Sequence, residues 1–376
     1  MNGRRIALAE RRRTLGLSQE DLAARLRVDR STVARWERGH TAPQPWQRPA
    51  LARALALSPD ELTDLLNSEH RQAAGLPTDF GASADEIHRE LTRLEEAYSS
   101  TPAIMLLSTT AARLAQLTQL REQSLSVHDA SELDRSYSRA LTLMGQLVWD
   151  ASQRRDHTAA RDYFEQAANA ARRAHDPTLE ARALLRFSFI ALYGQKAPRL
   201  GLALTTSAAK VSRRVSPVIG ALTHLHAAEA HAMLGSATEC RRSLAAAETD
   251  LGAHHRGDPA EDLYSSSVRG RMVGSCLLRL GDYQAALAEL DEASTCTAPL
   301  SKSKALIVAN SALALARSGD ADGAAERLED AVDLIEITRG GGALNLAFQA
   351  GRELHQKSDG AATKNVVDSL MSLMAG

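Results

Sequence analysis

A phrase recurs along most of this chain: Gly-Asp, three variable residues, an Ala, then apolar and small residues at helical spacing. It is clearest at Gly281-Asp282-Tyr283-Gln284-Ala285-Ala286-Leu287, with Leu290 and Ala293 downstream. The frame returns at Gly319-Asp320 with Ala324, Leu328 and Ala331. Weaker copies start near Arg155 (Ala160, Phe164, Ala167), Lys196 (Gly201, Thr205, Ala208), Gly235 (Leu244, Ala247) and Ser358 (Val367, Leu370), about 40 residues apart. That period accommodates a helix, a tight turn and a second helix. One such pair cannot bury its own apolar stripe, so neighbours must stack, and the expected architecture is an α-solenoid. Segments 84–98, 102–123 and 132–154 supply further helices before or within the first repeat, and residues 84–376 are read as one helical body.

The copies resemble tetratricopeptide repeats, with a period longer than usual and thinly filled aromatic positions. The resemblance implies that the first helix of each pair lines the inner face. In that frame Gln146, Trp149, Arg186, Tyr193, His226, Glu229, Arg271, Ser275, Asn310, Asn345 and Arg352 point inward. All but Trp149, which reads as packed core, are candidate ligand-binding residues, and Asn310 falls where such domains place an Asn that hydrogen-bonds a peptide backbone.

The first 66 residues follow a different pattern. Ile6 to Leu15 is apolar at helical spacing and ends at Gly16, suited to a left-handed cap. Ser18 and Asp21 then have capping-box spacing for a helix over Gln19 to Leu26. After the turn Arg27-Val28-Asp29, a third helix runs from about Arg30 to Arg38, with Val33 and Trp36 on its buried face and Gly39 closing it. Two short helices joined by so short a turn form a helix-turn-helix. Two more helices are expected: Trp46 to Leu55, then Pro59 to Leu66 with Ser58 as cap and Glu61 as its partner. Residues 67–83 lose the period, carry Gly75, Pro77 and Gly81, and read as a linker.

The runs Leu17-Ser18-Gln19-Glu20-Asp21-Leu22-Ala23 and Val28-Asp29-Arg30-Ser31-Thr32-Val33-Ala34-Arg35-Trp36-Glu37-Arg38-Gly39 resemble the Cro/C1-type (Xre-like) DNA-binding domain of phage repressors. The resemblance implies a five-helix, lambda-repressor-like head in which Gln19 touches the DNA backbone and braces the reading side chain. A recognition helix presents its N-terminal residues to base edges, so Arg30, Ser31, Thr32 and, one turn on, Arg35 are the expected readers. Arg30 stands where many phage repressors have Gln, which favours a guanine contact. Arg38 and Arg48 are expected phosphate contacts.

Charge supports the same division. Residues 1–57 hold twelve Arg and no Lys against five acids, a net +7 within a chain whose total is −1, so the body carries −8. A basic head on an acidic body suits a protein that meets a polyanion with the head alone. No apolar run is long enough for a membrane span, and the Arg-rich N-terminus lacks an apolar signal core, so a cytoplasmic protein is expected. Cys240, Cys276 and Cys296 have neither zinc-knuckle spacing nor an even number. His224, His226 and His231 do not form a metal motif, and Gly340-Gly341-Gly342 reads as a helix breaker rather than a phosphate loop. No nucleophile elbow or carboxylate pair stands out, so no enzyme activity, metal or cofactor is expected.

The two-part plan resembles the peptide-responsive regulators of Gram-positive bacteria. It implies a homodimeric transcription regulator that binds a double-stranded DNA operator and receives a signalling peptide or small molecule in its repeat domain. A repeat-based interaction scaffold and an antitoxin with an autoregulatory head are the alternatives.

Overall fold

In this computed structural model the described residues are 6–38, 41, 43–58, 62, 65–66, 84–123, 127–212, 215–358 and 360–375. They form helices and no strands. The head opens with α1 (Ile6–Thr14), α2 (Gln19–Leu26) and α3 (Arg30–Glu37), followed by a 3-10 turn (Pro45–Gln47) and α4 (Arg48–Ala54). Gly16 takes the left-handed conformation (φ +68°) that ends α1. Ser18 Oγ accepts from the Asp21 amide at 3.0 Å while the Asp21 carboxylate accepts from the Ser18 amide at 2.8 Å. Those bonds hold the Asp21 carboxyl below its usual range. Pro49, which has no amide, suits a first helical turn, so α4 begins beside it and Trp46 lies in the 3-10 turn rather than in the helix. The expected fifth helix and Gly39 fall largely outside the described residues. Leu62, Leu65 and Leu66 are helical there, and Leu62 and Leu66 are buried in a core with Leu8, Leu22, Val33, Trp36, Leu51 and Leu55. The linker, 67–83, also lies outside them.

The body begins with α5 (Ala84–Ala97) and α6 (Ala103–Gln123) and continues as six helix pairs. These are α7 (Val127–Ala151) with α8 (His157–Arg173), α9 (Pro177–Phe189, extended by a π turn to Gly194) with α10 (Pro198–Ser212), and α11 (Pro217–Met233) with α12 (Ala237–Gly252). Then come α13 (Ser266–Leu280) with α14 (Tyr283–Thr295), α15 (Lys302–Ser318) with α16 (Ala321–Thr338), and α17 (Gly341–His355) with α18 (Ala361–Ala375). Each of the six recurring phrases falls at the turn inside one pair. Gly281 (φ +87°) and Gly319 (φ +97°) supply the left-handed residue that ends the first helix, and Asp282 and Asp320 cap the second through the amides of Ala285 and Gly323. The small residues of the phrase are the packing surface: Ala286, Leu290 and Ala293, like Ala324, Leu328 and Ala331, are buried.

Successive first helices touch one another, and the array curls until its end meets its beginning. The Lys302 amide donates to the Ser99 carbonyl at 2.8 Å, and its ammonium lies 3.2 Å from Asp150 and 3.9 Å from the centre of the Tyr98 ring. The glycine run stands at the break between α16 and α17. Gly340 caps α17, while Gly341 and Gly342 form its first turn, where a Cβ on Gly342 would strike the Arg154 guanidinium. The run separates the two helices and also permits this close approach.

The head also rests directly on the body. Trp46 packs against the cluster of Leu94, Leu106, Leu143 and Met144, and Arg53 pairs with Asp162 at 3.0 Å.

Candidate DNA-reading helix and solenoid cavity

The orientation of α3 is set from below. Arg12 of α1 is buried and donates from Nε to Glu37 Oε1 at 2.6 Å and from Nη1 to the Leu17 carbonyl at 2.5 Å. This ties the last residue of α3 to α1 and to the start of the turn preceding α2. Gln19 donates its amide to the same Glu37 carboxylate at 2.6 Å. With Val33 and Trp36 anchored in the core, the opposite face of α3 carries Arg30, Ser31 and Arg35 exposed and Thr32 half-buried. Arg35 reaches back to the Ser31 carbonyl at 3.3 Å, and Arg38, also exposed, to the Ala34 carbonyl at 3.0 Å.

Two placements differ from the sequence reading. Gln19 braces Glu37 at the C-terminal end of α3, and the side chain that meets Arg30 is Glu20, 3.2 Å away and exposed. Arg48 does not share the face of α3. It turns toward the body beside Tyr163, its Nε donating to the Pro43 carbonyl at 3.3 Å. Burial lowers the Arg48 pKa and pushes the Tyr163 phenol up to about 12.

In the body, the curl encloses a cavity of about 1010 Å³. All eleven residues expected on the inner face line it: Gln146 and Trp149 from α7, Arg186 and Tyr193 from α9 and its π turn, His226 and Glu229 from α11, Arg271 and Ser275 from α13, Asn310 from α15, and Asn345 and Arg352 from α17. Helical spacing on successive first helices brings them to one wall. Tyr193 donates its hydroxyl to Glu229 and lies 2.9 Å from His226 Nδ1. Both partners are buried: desolvation pushes the Glu229 carboxyl up and holds the His226 ring well below the usual histidine range. Asn310 donates to the Leu306 carbonyl one turn back at 2.9 Å. Asn345 and Arg352 sit at an exposed edge.

Other lining residues escaped the sequence reading. Asp150 accepts from Tyr98 at 2.8 Å and lies 3.5 Å from Arg154, which stacks on the Trp149 ring at 4.5 Å. Asp150 and Gln153 follow Gln146 at helical spacing and were legible on that ground. Tyr98 and Lys302 arrive from elements distant in sequence, and no local pattern signals them.

Among the described residues no helix is long and apolar enough to cross a membrane. Residues 8–62 match the helix-turn-helix family. No curated protein matches the chain. Among solved structures, the chain is similar to Bacillus thuringiensis PlcR, crystallised with the peptide PapR7 and DNA, at 13% identity and a TM-score of 0.29 over 67% of this chain and 95% of that one. It is also similar to the APC/C hetero-tetramer Cut9–Hcn1, at 13% identity and a TM-score of 0.38 over 94% of this chain and 67% of that one.

Proposed function

We propose that this chain, a helix-turn-helix head on a tetratricopeptide-like body, is a transcription regulator that binds a two-fold operator as a homodimer and responds to a ligand held in the solenoid cavity. The observation that carries the reading is the presentation of α3: its inner face is locked through Val33, Trp36 and Glu37, and its outer face offers Arg30, Ser31 and Arg35 to solvent. That is the form in which a recognition helix enters a major groove, with N-terminal side chains at base edges. Arg30 reads a guanine, Ser31, Thr32 and Arg35 complete the contact, and Arg38 fixes register on a phosphate.

Dimerisation follows from the size of one head, which makes too few contacts for useful affinity. Half-sites one helical turn apart, roughly 34 Å, are the usual remedy. Coupling follows from the docking of the head. Trp46 and Arg53 rest on α6 to α8, and α7 also lines the cavity, so a ligand that prefers one curl of the body biases how the heads are held. DNA must reciprocally bias ligand affinity.

Selection from a random duplex library with the full-length protein tests the reading. It predicts an inverted-repeat motif containing guanine in each half-site. Recovery of no enriched motif would remove sequence-specific DNA binding.

A further inference from the structure

The solenoid cavity is strongly basic although the body around it is acidic. Its lining includes eight arginine and lysine side chains against two carboxylates, Asp150 and Glu229. Asp150 is already engaged by Arg154 and Lys302, and the buried Glu229 accepts from Tyr193. Arg186 and Arg271 form no ion pair with any described residue: Arg186 stacks on Phe189 at 5.1 Å, and Arg271 Nε is buried without a hydrogen-bond acceptor. The Trp149 Nε1, on a side chain 4% exposed, is likewise without an acceptor. Burial depresses the pKa of both arginines, which expresses the cost of holding their charges away from water. Buried donors are normally satisfied, so the two unspent ones, Arg271 Nε and Trp149 Nε1, in a cavity that Arg186 also lines, mark a place for an acceptor. Between them the wall is apolar, with Phe189, Leu306, Leu346 and Phe348.

We propose that the cavity binds an amphipathic anion, whose carboxylate or phosphate head is received by Arg186, Arg271 and the Trp149 indole and whose apolar portion lies against Phe189 and its neighbours. This deepens the preceding reading and rests on it for the consequence that the anion acts on DNA binding. A planar guanidinium suits either acid head, because it offers paired donors to two oxygens.

The test uses the full-length protein and a pair of fluorescent probes: anilinonaphthalene sulfonate, and N-phenylnaphthylamine, which is the same ring system without the acid. The expected result is that the sulfonate binds and that Arg271→Met and Arg186→Met each weaken it by about tenfold or more, with binding of the neutral probe unchanged. Methionine preserves apolar volume, and thermal melts verify that each variant is folded. Should one variant fail to fold, the other decides. Absence of sulfonate binding, or equal binding of both probes indifferent to the two arginines, would overturn the proposal. Displacement separates the sources of the acid: octanoate against octanol, octyl phosphate against octanol, and a hydrophobic pentapeptide against its C-terminal amide. An acid that displaces better than its neutral twin supports the proposal and identifies its source, whereas equal displacement within every pair contradicts it. DNA anisotropy in the same samples keeps the two readings apart. Arginine-dependent probe binding that leaves DNA affinity unchanged would retain the anion site and remove its coupling to DNA. Intact DNA binding without probe binding would do the reverse.

Discussion

The ammonium of Lys302 lies 3.2 Å from the carboxylate of Asp150, although 152 residues separate them, and both side chains are buried where the helical array meets its own beginning. Asp150 also engages Tyr98 and Arg154, so one carboxylate serves three donors from three parts of the chain. Asp150→Asn leaves the buried Lys302 and the half-buried Arg154 uncompensated and should destabilise the body by about 3 kcal/mol. Lys302→Met should cost less, since Arg154 still faces Asp150. Chemical denaturation of both variants checks the order, and equal losses would contradict it.

The Arg12–Glu37 pair makes a similar demand on the head. Glu37→Ala strands the buried Arg12 guanidinium and the Gln19 amide and should cost about 3–5 kcal/mol, enough to unfold the head while the body remains helical. In a background with Trp46 and Trp149 replaced by Phe, Trp36 fluorescence would report the loss separately from far-UV dichroism, which the body dominates. A head that melts with wild-type parameters would contradict the role assigned to the pair.

Acid stability has a local contribution at Arg317 and Glu353, joined by two hydrogen bonds of 2.9 Å. The arginine holds the Glu353 carboxyl below the ordinary glutamate value of 4.5, so the folded state binds this proton less readily than the unfolded chain. The stabilisation is therefore complete above that ordinary value and is lost as pH falls through the lower folded one. Both side chains are about a quarter exposed, so Glu353→Gln should cost only about 0.5–1 kcal/mol at neutral pH and nothing at pH values below the folded pKa. Urea melts across acid pH would show the difference between the proteins closing.

Removing residues 84–376 should leave a folded head that is monomeric and binds a half-site weakly, because its core is built from its own leucines and Trp36. Light scattering and anisotropy on that fragment check the prediction. Tight operator binding by the isolated head would take dimerisation away from the body.

The head was legible because its signals are local: a capping box, a left-handed glycine and apolar positions three and four apart specify α2 to the residue and α3 to within one. The inner wall was legible for a similar reason, since helical spacing on stacked first helices must bring Gln146, Arg186, His226, Arg271 and Asn310 to one side. Contacts across large sequence distances were not. Nothing around Lys302 or Tyr98 says that the array closes, and the packing of Gly342 on Arg154 depends on that closure. Arg48 was misplaced for the same reason: its basic character suits a phosphate, but its surroundings are set by the body. The hydrogen bond of Gln19 to Glu37 was not legible either, because it depends on a buried carboxylate anchored by Arg12 from another helix.

The central claim is that Arg30 reads a base from the exposed face of α3. It is tested most directly by fluorescence anisotropy of the full-length protein and Arg30→Ala against duplex DNA from the chain's own upstream region, beside a scrambled duplex, at near-physiological salt. Specific binding should be nanomolar and weaken by about 1–3 kcal/mol in the variant, with preference relaxed at one base position. Unchanged affinity and unchanged base preference in Arg30→Ala would contradict the claim.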